Sequence, residues 1–210
     1  MTVETDEANA IYAFSAQLFA IYAQSNNENA GALTAISTHE GNGAGAIATM
    51  SNPIIINGGY ITAKCTSTRS DVTTGYAGIA GKITINGGNI VATSASKSRG
   101  SGMQGAITIG YNNPNFSLVV SGFNGNCETP SGFGGSLTIA SEKTLKYTDD
   151  DNVVHELSGT FDGTSFDETV GLNKLIAGKT LRPATAYKLS VDNNLRRLKR
   201  NMCIRILRSP

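Results

Sequence analysis

The stretch Gly78-Ile79-Ala80-Gly81-Lys82-Ile83-Thr84-Ile85 returns as Gly102-Met103-Gln104-Gly105-Ala106-Ile107-Thr108-Ile109, and again as Gly132-Phe133-Gly134-Gly135-Ser136-Leu137-Thr138-Ile139. The shared pattern is Gly-apolar-x-Gly-x-apolar-Thr-Ile, at offsets of 24 and 30 residues. A second phrase overlaps it. Ile54-Ile55-Ile56-Asn57-Gly58-Gly59-Tyr60-Ile61-Thr62-Ala63 matches Ile83-Thr84-Ile85-Asn86-Gly87-Gly88-Asn89-Ile90-Val91-Ala92, 29 residues on. Self-similarity at this spacing predicts a solenoid or stacked array.

Ile-Thr-Ile alternates apolar and polar, which suits a strand with one buried face. β-Branched residues dominate these stretches, and their stiff χ1 favours a pleated sheet over a helix. Asn-Gly-Gly, at Asn57 and Asn86, marks a sharp corner, because both residue types tolerate positive φ. A second short strand is expected after each corner, at residues 60–64 and 89–93. Polar loops of variable length follow at 65–74 and 94–101. One such unit cannot bury its own apolar side chains, whereas stacked units bury them against each other. The strands would then pair in parallel at ~4.8 Å per rung, with Ile56, Ile85, Ile109 and Ile139 forming one inward ladder. An antiparallel β-sandwich with short glycine turns is the alternative; the repeated phrase favours the solenoid.

The Ile-Thr-Ile-Asn-Gly-Gly-x-Ile-x-Ala phrase, with Gly-Ile or Gly-Met ahead of the next strand, resembles the Gly-rich right-handed parallel β-helix repeats of bacterial surface proteins. Those proteins are often described as adhesin-like or carbohydrate-associated. The resemblance covers about residues 20–140. Leu137-Thr138-Ile139 through Leu145, Ser158-Gly159-Thr160, and Ile176-Ala177-Gly178-Lys179-Thr180-Leu181-Arg182-Pro183 look like the segment that closes such arrays. The resemblance implies surface location and a binding or structural role. It supplies no catalytic residues to carry over.

Composition agrees with an all-β chain. Glycine supplies 24 of 210 residues and charged residues only 16%, so Asn, Ser, Thr and Gly carry the polarity, as is usual in extracellular β-proteins. Net charge is +1, but residues 193–210 hold six cations and no acid, which leaves the rest at −5. The body is therefore no basic platform for nucleic acid. Cys65, Cys127 and Cys203 are far apart, in no metal-ligand spacing, and their odd count argues against a disulfide framework. Residues 1–7 are acidic where a secretory signal is basic, so the leader that export implies is not in this stretch. The apolar run over 8–23 contains Asn9, Ser15 and Gln17 and is too short to span a bilayer.

The expected organisation is an N-terminal tail or cap over 1–8, solenoid repeats over 9–140, a C-terminal β-rich cap over 141–192, and a basic tail over 193–210. Within 9–24, Ile11, Phe14, Leu18, Ile21 and Tyr22 have helical spacing. Yet Ala10-Ile11-Tyr12-Ala13 repeats as Ala20-Ile21-Tyr22-Ala23, which favours strands of an early coil. Residues 25–53 read as one worn repeat, and 117–121 as a further strand. In the cap, 145–147, 153–157 and 160–161 read as edge or hairpin strands and 169–176 as a short helix. Leu195, Leu198, Met202 and Ile206 have helical spacing between basic residues. Such a helix can rest on an anionic membrane or nucleic acid; a loosely ordered tail is the plainer reading.

Catalytic chemistry is mostly missing. Polysaccharide lyases and glycosidases built on β-helices need clustered carboxylates. Between Gly41 and Cys127 the only acid is Asp71, so the clear repeats cannot hold a carboxylate pair. Glu128, Glu142 and the Asp149-Asp150-Asp151 cluster would have to converge near the C-terminal end; solvated turn residues are the plainer reading. Asp149-Asp150-Asp151-Asn152 lacks the glycine and distal Glu of a calcium loop. His39 and His155 have no partner nearby in sequence to form a triad. Thr84, Thr108 and Thr138 share one place in the repeat and could stack, Thr62 lies on another strand, and ordinary outward strand polarity accounts for all four. Tyr60, Tyr76 and Tyr111 could offer stacking faces to sugars. The expected function is a non-catalytic surface or secreted module, structural or adhesive, presenting loops to a glycan or protein partner. No cofactor, metal, nucleic acid or membrane span is expected. The alternative is a carbohydrate-active enzyme with its site near the C-terminal end.

Overall fold

The computed structural model describes residues 1–6, 9–13, 19–21, 31–40, 45–68, 77–96, 100–124, 129–130, 132–162 and 176–184. The repeated phrase forms the strands it predicts. One sheet runs β1 (Thr2–Thr5), β4 (Ala32–Ser37), β6 (Tyr60–Cys65), β8 (Asn89–Ser94) and β11 (Ser117–Ser121), each parallel to the next. The facing sheet holds β2 (Asn9–Ala13) and β3 (Phe19–Ile21), both paired to β5 (Gly45–Ile56). It continues through β7 (Ala77–Ile85), then β9 (Ser101–Gln104) and β10 (Ile107–Ile109), then β14 (Leu137–Ile139), again in parallel. The chain crosses from one sheet to the other in every coil, which makes a β-solenoid of about three turns.

Side chains of like kind meet between coils. Ile56, Ile85, Ile109 and Ile139 are register partners from strand to strand and at most 2% exposed. Ile54, Ile83, Ile107 and Leu137 form a second inward row beside them. The other sheet answers with Leu33, Ile61, Ile90 and Leu118, then with the smaller Ala35, Ala63, Ala92 and Val120. Ser37, Cys65 and Ser94 make a third, polar row in which the thiol sits between two hydroxyls. The small residues lie where the two sheets converge. A Cβ on Gly78 would meet the Ala63 carbonyl oxygen at 2.7 Å, and one on Gly102 the Ala92 carbonyl oxygen at 2.4 Å. There the core narrows until backbone lies on backbone.

The bend inside each repeat has its own glycine stack. Gly105 has φ 113, and a Cβ there would sit 2.1 Å from the Gly81 carbonyl oxygen; Gly135 meets the Gly105 carbonyl oxygen at 2.2 Å in the same way. No side chain fits that gap, which explains why the second glycine of the phrase recurs. The Asn-Gly-Gly corners stack too. The Asn86 side-chain amide donates to Asn57 Oδ1 at 2.8 Å, and the backbone N–H of Asn89 donates to the Gly59 carbonyl at 2.8 Å.

Both ends of the array carry further strands. Residues 2–5, in the segment read from sequence as a tail or cap, form β1 and pair with Thr34 to Ser37 of β4. The alternating, Thr-rich Thr2-Val3-Glu4-Thr5 supplies the reason. At the far end the strands turn antiparallel. β15 (Leu145–Thr148) and β16 (Val154–Leu157) make a hairpin, and β18 (Thr180–Pro183) lies between β11 and β15. β17 (Thr160–Phe161) pairs antiparallel with β14, and β12 (Phe123–Asn124) with β13 (Thr129–Pro130). β2 and β3 adopt the strand reading of 9–13 and 19–21. The helix expected over 169–176 falls, except for Ile176, outside the described residues, as do Tyr76, Cys127, Glu128, Cys203 and the basic tail.

Gly105→Ala should lower unfolding stability by about 3 kcal/mol or more, since both φ and the neighbouring carbonyl oppose a methyl group. Gly31→Ala, whose Cβ would meet nothing within 4 Å, should stay within about 0.5 kcal/mol of the parent. Ile85→Ala should cost roughly 2–5 kcal/mol through the cavity it leaves in the ladder. Urea unfolding followed by far-UV circular dichroism measures all three.

Candidate functional site

The stacked coils present hydroxyls and amides outward. On the first sheet these positions are Tyr60, Thr62 and Lys64, then Asn89, Val91 and Thr93, then Ser117, Val119 and Ser121. On the second they are Lys82 and Thr84, then Ala106 and Thr108, then Ser136 and Thr138. No carboxylate stands on these six strands; the exposed Glu4 on β1, in register with Ile36, is the acid on this part of the first sheet. Thr84, Thr108 and Thr138 are in register, and antiparallel β17 extends the row with Thr160, whose hydroxyl lies 3.3 Å from that of Thr138. Thr62 belongs to the other sheet, beside Thr34 and Val91.

Of the tyrosines, Tyr60 is 49% exposed on the outer face, while Tyr111 is a core residue. Its ring stacks on Phe116 at 5.6 Å, and its hydroxyl donates to the Thr144 carbonyl at 2.8 Å. Tyr111 therefore has no free face for a sugar: the third coil replaces the Asn-Gly-Gly corner with the wider Gly110–Phe116 loop, and this aromatic pair fills it.

Of the acids singled out in sequence, the described ones, Glu142 and Asp149 to Asp151, do not converge. Glu142 is exposed in the turn before β15, at φ 64, and the aspartate cluster follows the same strand, so the two lie at its opposite ends. The cluster is internally occupied. Asp149 Oδ1 accepts the backbone N–H groups of Val153 at 2.8 Å and Asp151 at 3.0 Å, and His155 Nε2 lies 2.6 Å from Oδ2. Asn152, at φ 63, takes the left-handed position that closes the three-residue hairpin loop, a place Asn tolerates well. Asp150 pairs with Lys179. Among the described residues no three of His, Cys, Asp and Glu come together as metal ligands would.

The His155–Asp149 pair escaped the sequence because its partners are six residues apart. Only the β15–β16 register, which sets Tyr147 opposite His155, brings the imidazole back over the turn. The Tyr147 and His155 rings stack at 5.0 Å. The hydrogen bond from His155, followed by that from the Val153 N–H, holds the Asp149 carboxyl below its ordinary range. Burial, with the Asp149 charge second, pushes the Tyr147 hydroxyl up. The pair anchors a hairpin. His39 lies at the other end of the array, with Nδ1 2.8 Å from the Asp6 carbonyl oxygen.

On the outer face of the antiparallel end lies an open cavity of about 380 Å³, lined by Lys146, Tyr147, Thr148, Val154, Thr180 and Arg182. Alternation along the strands turns Lys146 and Thr148 of β15, and Thr180 and Arg182 of β18, to this face. Lys146 and Arg182 are direct cross-strand partners. No sequence signal singles them out, since β15 and β18 are more than thirty residues apart and meet only through the sheet order. Comparison with protein-family models, curated proteins and solved structures finds no match for this chain. No helix among the described residues is long and apolar enough to cross a membrane.

Cys65 is 1% exposed, and burial pushes its thiol up to about 11. At pH 8 only about one molecule in a thousand would carry the thiolate. Native protein treated with iodoacetamide at that pH should therefore yield an unmodified Cys65 peptide by mass spectrometry, with modification appearing once denaturant is added. Asp149 sets a second expectation. Its folded-state value is depressed, so its contribution is present above the ordinary 3.8 and is lost as pH falls through the lowered value. Asp149→Asn should flatten the acid limb of the stability profile, seen as a smaller change in urea midpoint between about pH 5 and pH 2 than the parent shows.

Proposed function

We propose that this chain is a non-catalytic β-solenoid module of a secreted or cell-surface protein, structural or adhesive, which presents its outer faces and loops to a glycan or protein partner. The observation that carries the reading is the chemistry of the stacked coils. On β6, β8 and β11 of one sheet and β7, β10 and β14 of the other, the outward positions offer mostly Thr, Ser, Asn, Tyr and Lys, with Val91, Val119 and Ala106 among them, and no carboxylate; Glu4 on β1 is the one acid on these stacked strands among the described residues. Glycoside hydrolysis uses a pair of carboxyl groups about 5–10 Å apart, and Glu142 and Asp149 stand at opposite ends of β15. Hydroxyl and amide groups fixed at the ~4.8 Å strand spacing suit hydrogen bonding to an extended chain of sugars. The net charge of −5 outside residues 193–210 supports a partner other than nucleic acid. The resemblance of the repeat phrase to bacterial surface β-helices points the same way.

Screening the purified chain on glycan and extracellular-protein arrays, beside assays for reducing-sugar and unsaturated-uronide release, tests the reading. Saturable binding without product release is the expected result. Polysaccharide turnover that disappears on Glu142→Gln or Asp149→Asn would overturn it.

A further inference from the structure

The cavity over β15, β16 and β18 has an electrostatic feature that the other described strand pairs lack. Directly opposed side chains on neighbouring strands lie about 5 Å apart at Cβ, and like charges there are destabilising. Lys146 and Arg182 occupy such a pair, and among the described residues neither has an ion-pair or hydrogen-bond partner. Glu156 stands opposite Lys146 on the other flank, yet no ion pair forms between them. The neighbouring cation Lys179 is already held by Asp150. Two free cations thus border one concave site, alongside the hydroxyls of Thr148 and Thr180 and the exposed apolar Val154.

We propose that this cavity is a subsite for one acidic sugar residue of a glycan chain, with Arg182 and Lys146 holding its carboxylate. The proposal rests on the glycan-binding form of the function above and names the ligand class. A carboxylate placed between the two cations would relieve their mutual repulsion and form charge-assisted hydrogen bonds, which are about twice as strong as neutral ones. A volume of about 380 Å³ accommodates one pyranose ring, and Thr148 and Thr180 offer hydroxyls to the ring oxygens. Glu156, directly across from Lys146 on β16, makes the site respond to charge, because its carboxylate opposes an incoming anion. From Thr180 the outward row runs across the same sheet through Val119 and Val91, flanked by the hydroxyl and amide groups of Ser117, Ser121, Asn89 and Thr93, giving neighbouring sugars a track of apolar floor and polar edges.

Titration calorimetry with trigalacturonate, with its neutral analogue galactotriose, and with inorganic sulfate tests the proposal on the full chain. Trigalacturonate should bind saturably and the neutral trisaccharide at least about tenfold more weakly. Arg182→Gln and Lys146→Gln should each weaken trigalacturonate by about tenfold. Glu156→Gln should tighten it. Unchanged unfolding midpoints for the variants would separate lost binding from lost fold. Trigalacturonate binding that survives both cation substitutions would overturn the subsite while leaving the glycan-binding role standing. Sulfate binding as tightly as the trisaccharide would reduce the cavity to a plain anion site and also overturn it. Failure of trigalacturonate to bind, with other glycans bound on the array, would remove the acidic-sugar subsite alone. Failure of every glycan and protein on the array would remove the functional reading beneath it as well.

Discussion

Every coil of this protein has to lie within hydrogen-bonding distance of the coils before and after it, and that closeness governs the rest. Parallel pairing at ~4.8 Å leaves no freedom in what may stand where backbones cross. Gly105 and Gly135 are stacked so tightly that a single methyl group would collide with the carbonyl oxygen of the preceding coil, and at Gly81 it would meet the Thr49 hydroxyl at 2.5 Å. Gly78 and Gly102 do the same where the two sheets converge. Once those contacts are met, the isoleucine ladders follow, because register partners in consecutive coils face one core and bury one another.

The same constraint shapes the ends. A parallel stack exposes unpaired backbone groups at each terminus, and such edges invite association. At the start, β1 lies along β4. At the finish the chain abandons parallel pairing altogether, and β15, β16, β17 and β18 add antiparallel strands to both sheets. The change of direction has a chemical consequence. Parallel coils repeat the inward residue type closely and the outward one loosely, so the outer rows mix hydroxyl and amide groups with Val91, Val119 and Ala106. Antiparallel strands from distant parts of the chain bring unlike residues together, and only there do Lys146, Arg182, Thr148 and Thr180 surround a concave surface.

The titratable groups divide along that line. Within the coils, Cys65 is sealed between two serines and its thiol is pushed upward by burial. At the antiparallel end, Asp149 is held low by His155 and by its own turn, so this hairpin is the part of the described structure tied to acid. The proposed role draws on both regions, with rigid coils as the platform and the irregular end as the place of chemical distinction.

The amino-acid sequence by itself determined the solenoid, the parallel register and the inward ladder, since a repeated phrase of known period leaves few ways to bury its Ile residues. The strands at 117–121, 145–148, 154–157 and 160–161 were equally legible, each from alternation or β-branched content. The scarcity of acids in the coils was visible too, because a count needs no fold. What sequence could not decide was anything carried by pairing between segments that do not repeat. The placement of β18 between β11 and β15 is one case, the return of His155 to Asp149 another, and the burial of Tyr111 against Phe116 a third. In each, the partners share no periodic signal, and only the tertiary order of strands brings them within reach. The opposed cations at the cavity belong to the same class, because Lys146 and Arg182 become neighbours only when the chain closes its last sheet.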